Sequence, residues 1–258
     1  MVGKQRSFFF ILTAGVVCAA VFTACGTREE APNGNRRKPA LSGSETTGVT
    51  KPQPAPAVEQ DNRPVIVTFG DSLTAGVAGR SYPDALQELL DAQGLRFRVD
   101  NQGVSGDTTT DGLARIDNVI AGHPALVILE FGGNDGLRGI PVDATRKNLA
   151  AMIERLKQAK IPTVLLGITL PPNYGPDYVK PFTAMFPELA REYQLPYIPF
   201  LLLHVYQNRE LMQPDGIHPN GNGNQIVARD VFQLIRPQLE SETKRPKGGE
   251  PSGRLGAR

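Results

Sequence analysis

Between residues 64 and 240 the chain alternates short apolar runs with longer amphipathic stretches. Runs of strand length occupy residues 65–69, 97–101, 126–131, 163–168 and 197–199. Helical spacing of apolar positions marks residues 82–93, 109–120, 144–159, 178–193 and 225–239. In the third of these helices Leu149, Met152, Ile153 and Leu156 fall on one face. Strand followed by helix, repeated, predicts parallel pairing, because parallel neighbours need a crossover and a helix is the usual one. The third and fourth strands are almost wholly apolar, as strands buried between two helical layers should be.

The first 63 and the last 18 residues break this pattern. Lys4 and Arg6 precede a mostly apolar stretch over 8–22 that is short of the roughly 20 residues a membrane span needs. It ends in Phe22, Thr23, Ala24, Cys25 and Gly26. Residues 1–24 are therefore expected to be a signal peptide. Small residues just before a cysteine resemble a bacterial lipoprotein cleavage site, and that resemblance makes Cys25 the lipidated first residue of the mature chain. An ordinary secretory signal or an uncleaved anchor is the plainer alternative. Residues 25–63 are rich in Gly, Pro, Ser, Thr, Asn and charge, and lack the large apolar side chains that offset chain entropy. They are expected to be a disordered tether, and residues 241–258 a disordered tail for the same reason. The folded domain is expected over 64–240.

Composition then narrows the chemistry. The chain has 258 residues and a formal net charge of +2, which gives no reason to expect nucleic acid as a partner. It has only two cysteines, Cys18 and Cys25, so the folded domain has no thiol and no disulfide. No His-Glu-x-x-His, cysteine cluster or phosphate-binding Gly-rich loop with Lys-Ser/Thr is present, and no metal or cofactor is expected.

The strand ends carry the candidate chemistry. The first strand breaks into Gly70, Asp71 and Ser72; the second into a segment containing Val104, Ser105, Gly106, Asp107 and Thr108; the third into Gly132, Gly133, Asn134, Asp135 and Gly136. All three loops leave the same edge of a parallel sheet, where open α/β folds place their ligands. Far along the chain, Asp215 stands three residues before His218. A tight turn there would set the carboxylate on the imidazole Nδ1 and leave Nε2 free as a base. Ser72, Asp215 and His218 thus form a candidate nucleophile, orienting group and base. Each has a plain reading as well. Gly-Asp-Ser is a common turn, Asn134 is an ordinary loop asparagine, and Asp215 to Pro219 would suit the start of a helix. Of the other two histidines, His123 precedes a proline in a loop, and His204 lies in an apolar stretch as a helix-side or core residue. The Gly-x-Ser-x-Gly elbow of α/β-hydrolases is absent, since Thr74 stands two residues after Ser72.

Taken in order, the blocks Gly70 to Gly76, Val104 to Thr108, Gly132 to Gly139 and Asp215 to Asn220 resemble the SGNH (GDSL-type) hydrolases. Within them they resemble the bacterial arylesterase, acyl-CoA thioesterase I and lysophospholipase L1 group, as does the segment Leu170 to Gly175. The resemblance covers residues 64–240. It implies a three-layer α/β/α sandwich with a five-stranded parallel sheet, flavodoxin-like in order. It implies Ser72 as nucleophile, His218 as general base and then acid, and Asp215 as its partner. The implied oxyanion hole joins the N–H groups of Ser72 and Gly106 to the Asn134 amide. The implied reaction is hydrolysis of aryl and short-to-medium acyl esters, with thioesters and lysophospholipids as further substrates, by a monomer facing the periplasm from a lipid anchor, in the outer membrane rather than the inner, or secreted. One position departs from the pattern: thioesterase members carry an Arg where this chain has Thr169. Tyr174, Tyr178 and Phe182 are candidates to line an acyl groove, with core packing as the alternative for Phe182 and its neighbour Phe186. A carbohydrate O-acetylesterase, and a silent lipid- or glycan-binding lipoprotein, are the competing readings of the same residues.

Overall fold

The computed structural model describes residues 61–77 and 79–244. The expected signal peptide, the Cys25 lipidation site, nearly all of the tether and residues 245–258 lie outside the described residues. In chain order the elements are β1 (Val65–Gly70), α1 (Ser72–Ala75), α2 (Tyr82–Ala92), β2 (Arg98–Gly103), α3 (Thr109–Ala121), β3 (Leu126–Glu130), α4 (Gly133–Leu137), α5 (Val142–Gln158), β4 (Thr163–Leu166), α6 (Pro176–Tyr193), β5 (Tyr197–Ile198) and α7 (Gly221–Lys244). A single 3₁₀ turn, Pro172–Tyr174, precedes α6.

The five strands form one parallel sheet in the order β2-β1-β3-β4-β5. Burial follows position. β3 and β4 are buried at every residue, and β2 and β5 on the edges are only half covered. α2 packs on α7, while α3, α5 and α6 pack in series. Right-handed crossovers set these two groups on opposite faces of the sheet. The core is accordingly apolar between the layers, with Ile66, Phe69, Ile128, Phe131, Leu165, Phe182 and Phe186 fully buried.

Topology fixes where a ligand can approach. From β1 the chain steps first to β2 on one side and then back to β3 on the other, so a crevice opens at the C-terminal ends of β1 and β3. The register places Gly70 beside both Gly103 and Glu130 at that edge. Gly70 is glycine for lack of room: a Cβ would collide with Thr74 Oγ1 and with the backbone and carboxylate of Glu130.

Three expectations are corrected. α7 continues to Lys244, four residues into the expected tail. After Pro237, which the helix already absorbs, no proline occurs before Pro246, and Ser241 and Thr243 hydroxyls donate to carbonyls one turn back. Residues 61–63, assigned to the tether, are tied down. Arg63 pairs with Asp61 and donates to the Phe97 carbonyl. The third expected loop is also not a loop throughout, since Gly133–Leu137 coils into α4. The buried Asp135 carboxylate holds that turn, accepting from the Thr109 N–H and from the hydroxyls of Thr109 and Thr145.

Candidate active site

Ser72 is the first residue of α1, directly after the buried strand β1. Asp71 caps this one-turn helix, its Oδ1 accepting from the Leu73 N–H at 3.0 Å. That cap turns the chain sharply and leaves Ser72 half-buried at the crevice. Its Oγ lies 2.8 Å from Nε2 of His218, across 146 residues of sequence.

The histidine is presented by a different kind of structure. Residues 212–219 form a loop closed by a bridge between Met212 and Pro219 and by the Gln213 N–H donating to the His218 carbonyl. Asp215 organises it locally. Its Oδ1 accepts from the N–H groups of Ile217 (2.9 Å) and His218 (3.0 Å), and its Oδ2 lies 2.7 Å from His218 Nδ1. A carboxylate only accepts, so Nδ1 carries the proton and Nε2 is the lone-pair nitrogen facing Ser72. Burial pushes the Asp215 carboxyl up. The hydrogen bonds from the His218 ring, His218 N–H and Ile217 N–H outweigh it and hold the group below the usual carboxylate range.

Three N–H donors lie on the segments that follow β1, β2 and β3. The Ser72 and Gly106 N–H groups have no hydrogen-bond acceptor among the described residues. Gly106 adopts φ +89°, a left-handed conformation that suits glycine and aims its N–H away from the chain's own carbonyls. The Asn134 side-chain nitrogen donates to the Asp107 carbonyl at 2.9 Å and, at the longer 3.2 Å, to the Asp71 carboxyl. Asn134 is the second residue of α4, the turn that Asp135 pins to α3 and α5.

Beneath the nucleophile lies a carboxyl that sequence reading missed. Glu130 ends β3 and is fully buried; its Oε2 accepts from the Asp71 N–H (3.3 Å) and the Thr74 hydroxyl (2.8 Å), and its Oε1 has no partner among the described residues. Burial, and then the neighbouring Asp71, push its pKa well above the ordinary range. Asp71 itself is pushed up to about 6 by burial, against the lowering effects of the Leu73 N–H, Glu130 and His218. A glutamate closing an otherwise apolar strand was the available signal.

An apolar cleft of about 120 Å³ opens from Ser72, Asn134 and His218. Leu137, Ile168, Leu170, Phe200, Leu202, Tyr206 and Ile217 form most of its walls. None of Tyr174, Tyr178 and Phe182 is among its lining residues, which corrects the expected groove. Phe182 is fully buried between Tyr178 and Phe186, and the two tyrosines spend their hydroxyls on the carbonyls of Leu137 (3.1 Å) and Ile140 (2.5 Å). They brace the segment after α4 from behind. Ile168 was expected inside a strand; β4 stops at Leu166 and frees it for the cleft. Thr169, where thioesterase members carry Arg, reaches the cleft and pairs its hydroxyl with Thr183 at 2.9 Å. His204 is exposed, not core. It pairs with Asp230 at 2.8 Å, and no hydroxyl faces its other nitrogen among the described residues.

Known proteins resemble the chain over most of its described residues. The sequence profile of the GDSL-like lipase/acylhydrolase family matches residues 68–226. The chain is 39% identical over 178 residues to an arylesterase of Vibrio mimicus, covering 67% of this chain and 89% of that protein. It is 35% identical over 182 residues to thioesterase 1/protease 1/lysophospholipase L1 of Escherichia coli strain K12, covering 69% and 86%. Among solved structures it is similar to the psychrotrophic esterase EstA of Pseudoalteromonas sp., inhibited by monoethylphosphonate. That similarity has a TM-score of 0.64 and 32% identity, and covers 68% of this chain and 98% of the other.

Proposed function

The chain belongs to the GDSL-like lipase/acylhydrolase family and is an esterase, and from that premise we propose how its residues divide the work and which esters it takes. The observation that carries the reading is the relay Ser72 Oγ, His218 Nε2, His218 Nδ1, Asp215 Oδ2, with links of 2.8 and 2.7 Å at the mouth of an apolar cleft.

In the first half-reaction His218 Nε2 takes the Ser72 proton as Oγ bonds to the ester carbonyl carbon. The carbonyl electrons move onto oxygen. The N–H groups of Ser72 and Gly106 and the Asn134 amide donate to that oxyanion, the amide giving up its longer contact to Asp71. Asp215 keeps the imidazolium oriented and compensates its charge. The tetrahedral centre collapses, the bond to the leaving oxygen breaks, and His218 returns the proton to the departing alcohol. Water then enters and gives a proton to His218 as its oxygen bonds to the acyl carbon; the bond to Ser72 Oγ breaks, His218 returns the proton to that oxygen, and the carboxylic acid leaves. Donors fixed in place before charge develops reorganise little, and one such donor is worth about 10²–10³ in turnover.

The acyl group occupies the cleft. Its volume is close to that of the roughly 150 Å³ apolar cavity that accepts benzene, which suits a short-to-medium acyl chain. Aryl esters, thioesters and lysophospholipids are within the proposed range, because the wall is apolar and the leaving-group side is open. The N-terminal sequence supports a lipid anchor on Cys25, which would hold a monomeric enzyme at the cell envelope. Among the described residues no helix is long and apolar enough to cross a membrane.

The test is a chain-length series of p-nitrophenyl esters from acetate to palmitate. The reading expects kcat/KM to peak between butyrate and octanoate and to fall steeply at palmitate. A flat profile, or activity confined to acetate, would contradict the cleft as acyl site.

A further inference from the structure

Arg115 is tied to the C-terminal ends of β1 and β2 at once, and no part of the mechanism uses it. It projects from α3 with Nη2 donating to the Gly70 carbonyl at 3.0 Å, Nη1 to the Gln102 carbonyl at 2.9 Å and Nε to the Asp107 carboxylate at 2.8 Å. Its guanidinium lies 4.3 Å from the centre of the Phe69 ring, which fixes the plane of the fork. Arg115 and Asp107 are both largely buried, with side-chain exposures of 24% and 15%.

Each of these acceptors stands next to an oxyanion donor. Gly70 is two residues before Ser72. Asp107 follows Gly106, and its main-chain carbonyl accepts from Asn134. Gln102 leads into the loop that carries Gly106. The Gly70 carbonyl also accepts from the Val104 N–H, so the first and second loops meet at the same oxygen. From these contacts we infer that Arg115 is a positioning residue that sets the mutual spacing of the three oxyanion donors, acting through Gly70, Gln102 and Asp107 and never touching substrate.

The inference rests on Ser72, Gly106 and Asn134 being the oxyanion donors. Lysine keeps the charge but replaces a rigid three-way fork with one mobile ammonium. A displacement of about 1 Å in donors of this kind costs on the order of 10²-fold in rate. Arg115→Lys is therefore expected to lower kcat on p-nitrophenyl butyrate about 10–100-fold with KM changed less than about threefold. Affinity for a trifluoromethyl ketone, whose hemiketal oxygen occupies the same site, falls by the same factor as kcat/KM. Asp107→Asn, which leaves the main-chain carbonyl in place, shifts both quantities in the same direction by less.

The decisive measurement is a double-mutant cycle with Asn134→Ala, beside melting temperatures of all variants. Because Arg115 acts partly through Asn134, its substitution should cost at least about threefold less in the Asn134→Ala background. A loss of equal size in both backgrounds, unchanged ketone affinity, or a change in KM alone would overturn the inference, even with a lowered melting temperature. Failure of Asn134→Ala itself to slow turnover would instead remove the oxyanion reading on which it rests.

Discussion

The two halves of the relay are built in opposite ways. Ser72 rises from the buried end of β1, where Glu130, Asp71 and Arg115 each bond the backbone and the Thr74 hydroxyl donates to the Glu130 carboxyl. His218 sits on a largely exposed loop whose order comes from residues within a few positions of itself, above all Asp215. Ser72 and the proposed oxyanion donors would have to match a developing charge to a fraction of an ångström; they are half-buried, and Ser72 and Asn134 are tied to the buried Asp71 and Glu130. The base needs only its tautomer and its direction, which a short turn supplies. Damage to the buried half should therefore spread into stability, and damage to the loop should stay in the chemistry.

Removing either end of the relay gives the largest effect. Ser72→Ala and His218→Ala are each expected to reduce kcat by about 10⁴-fold or more. His218→Ala should leave the thermal midpoint within about 2 °C, since the loop's backbone bonds to Asp215 survive. A large fall in that midpoint would break the contrast between the halves.

Asn134→Ala comes next, at about 10²–10³ in kcat with KM little changed. Steady-state kinetics on p-nitrophenyl butyrate checks it.

The buried carboxyl pair gives the contrast a pH signature. The Asp71 carboxyl is pushed up to about 6 in the folded state, above the roughly 3.9 of an unfolded chain. The folded protein thus holds more protons across that interval, and the slope of stability with pH is negative there. Stability is fully present below the ordinary carboxylate range and is lost as pH rises through about 6. Glu130, also raised by burial and by Asp71, contributes with the same sign. Melting temperatures measured from pH 4 to 8 should fall, and Glu130→Gln should flatten the curve. Asp215 has the opposite sign. Its folded value is lowered, so its contribution is present above the ordinary range and lost as pH falls, and exposure makes that contribution small.

The smallest expected effect belongs to Tyr178→Phe. It removes one hydrogen bond to the Ile140 carbonyl and should cost about 1 kcal/mol in a denaturant titration. The chain-length profile should not move, because Tyr178 is outside the cleft.

Much of this was legible in the residues. Strand runs and helical spacing located all five strands and the longer helices, because each buries an apolar face with its own period. The relay was legible through Ser72 at a strand end and Asp215 three residues before His218, a separation short enough for one turn to close. The acyl cleft was not. Ile168, Leu170, Phe200, Leu202 and Ile217 are scattered over two connections, the one after β4 and the long one after β5, and no periodicity links them. Tyr178 and Phe182 stand one turn apart on a helix, with Tyr174 four residues before, and so looked like a groove, yet the same spacing serves packing equally well. The roles of Glu130 and Arg115 were hidden for a related reason: their partners include main-chain groups that only the parallel register brings within reach.

The central claim is that Ser72 carries the acyl group and that His218 activates it. Intact-mass spectrometry after brief reaction with a fluorophosphonate, followed by peptide mapping, tests it most directly. The account predicts a single adduct on Ser72, none in Ser72→Ala, and labelling slowed by at least about 10²-fold in His218→Ala. An adduct on any other residue, or undiminished labelling of Ser72→Ala, would contradict it.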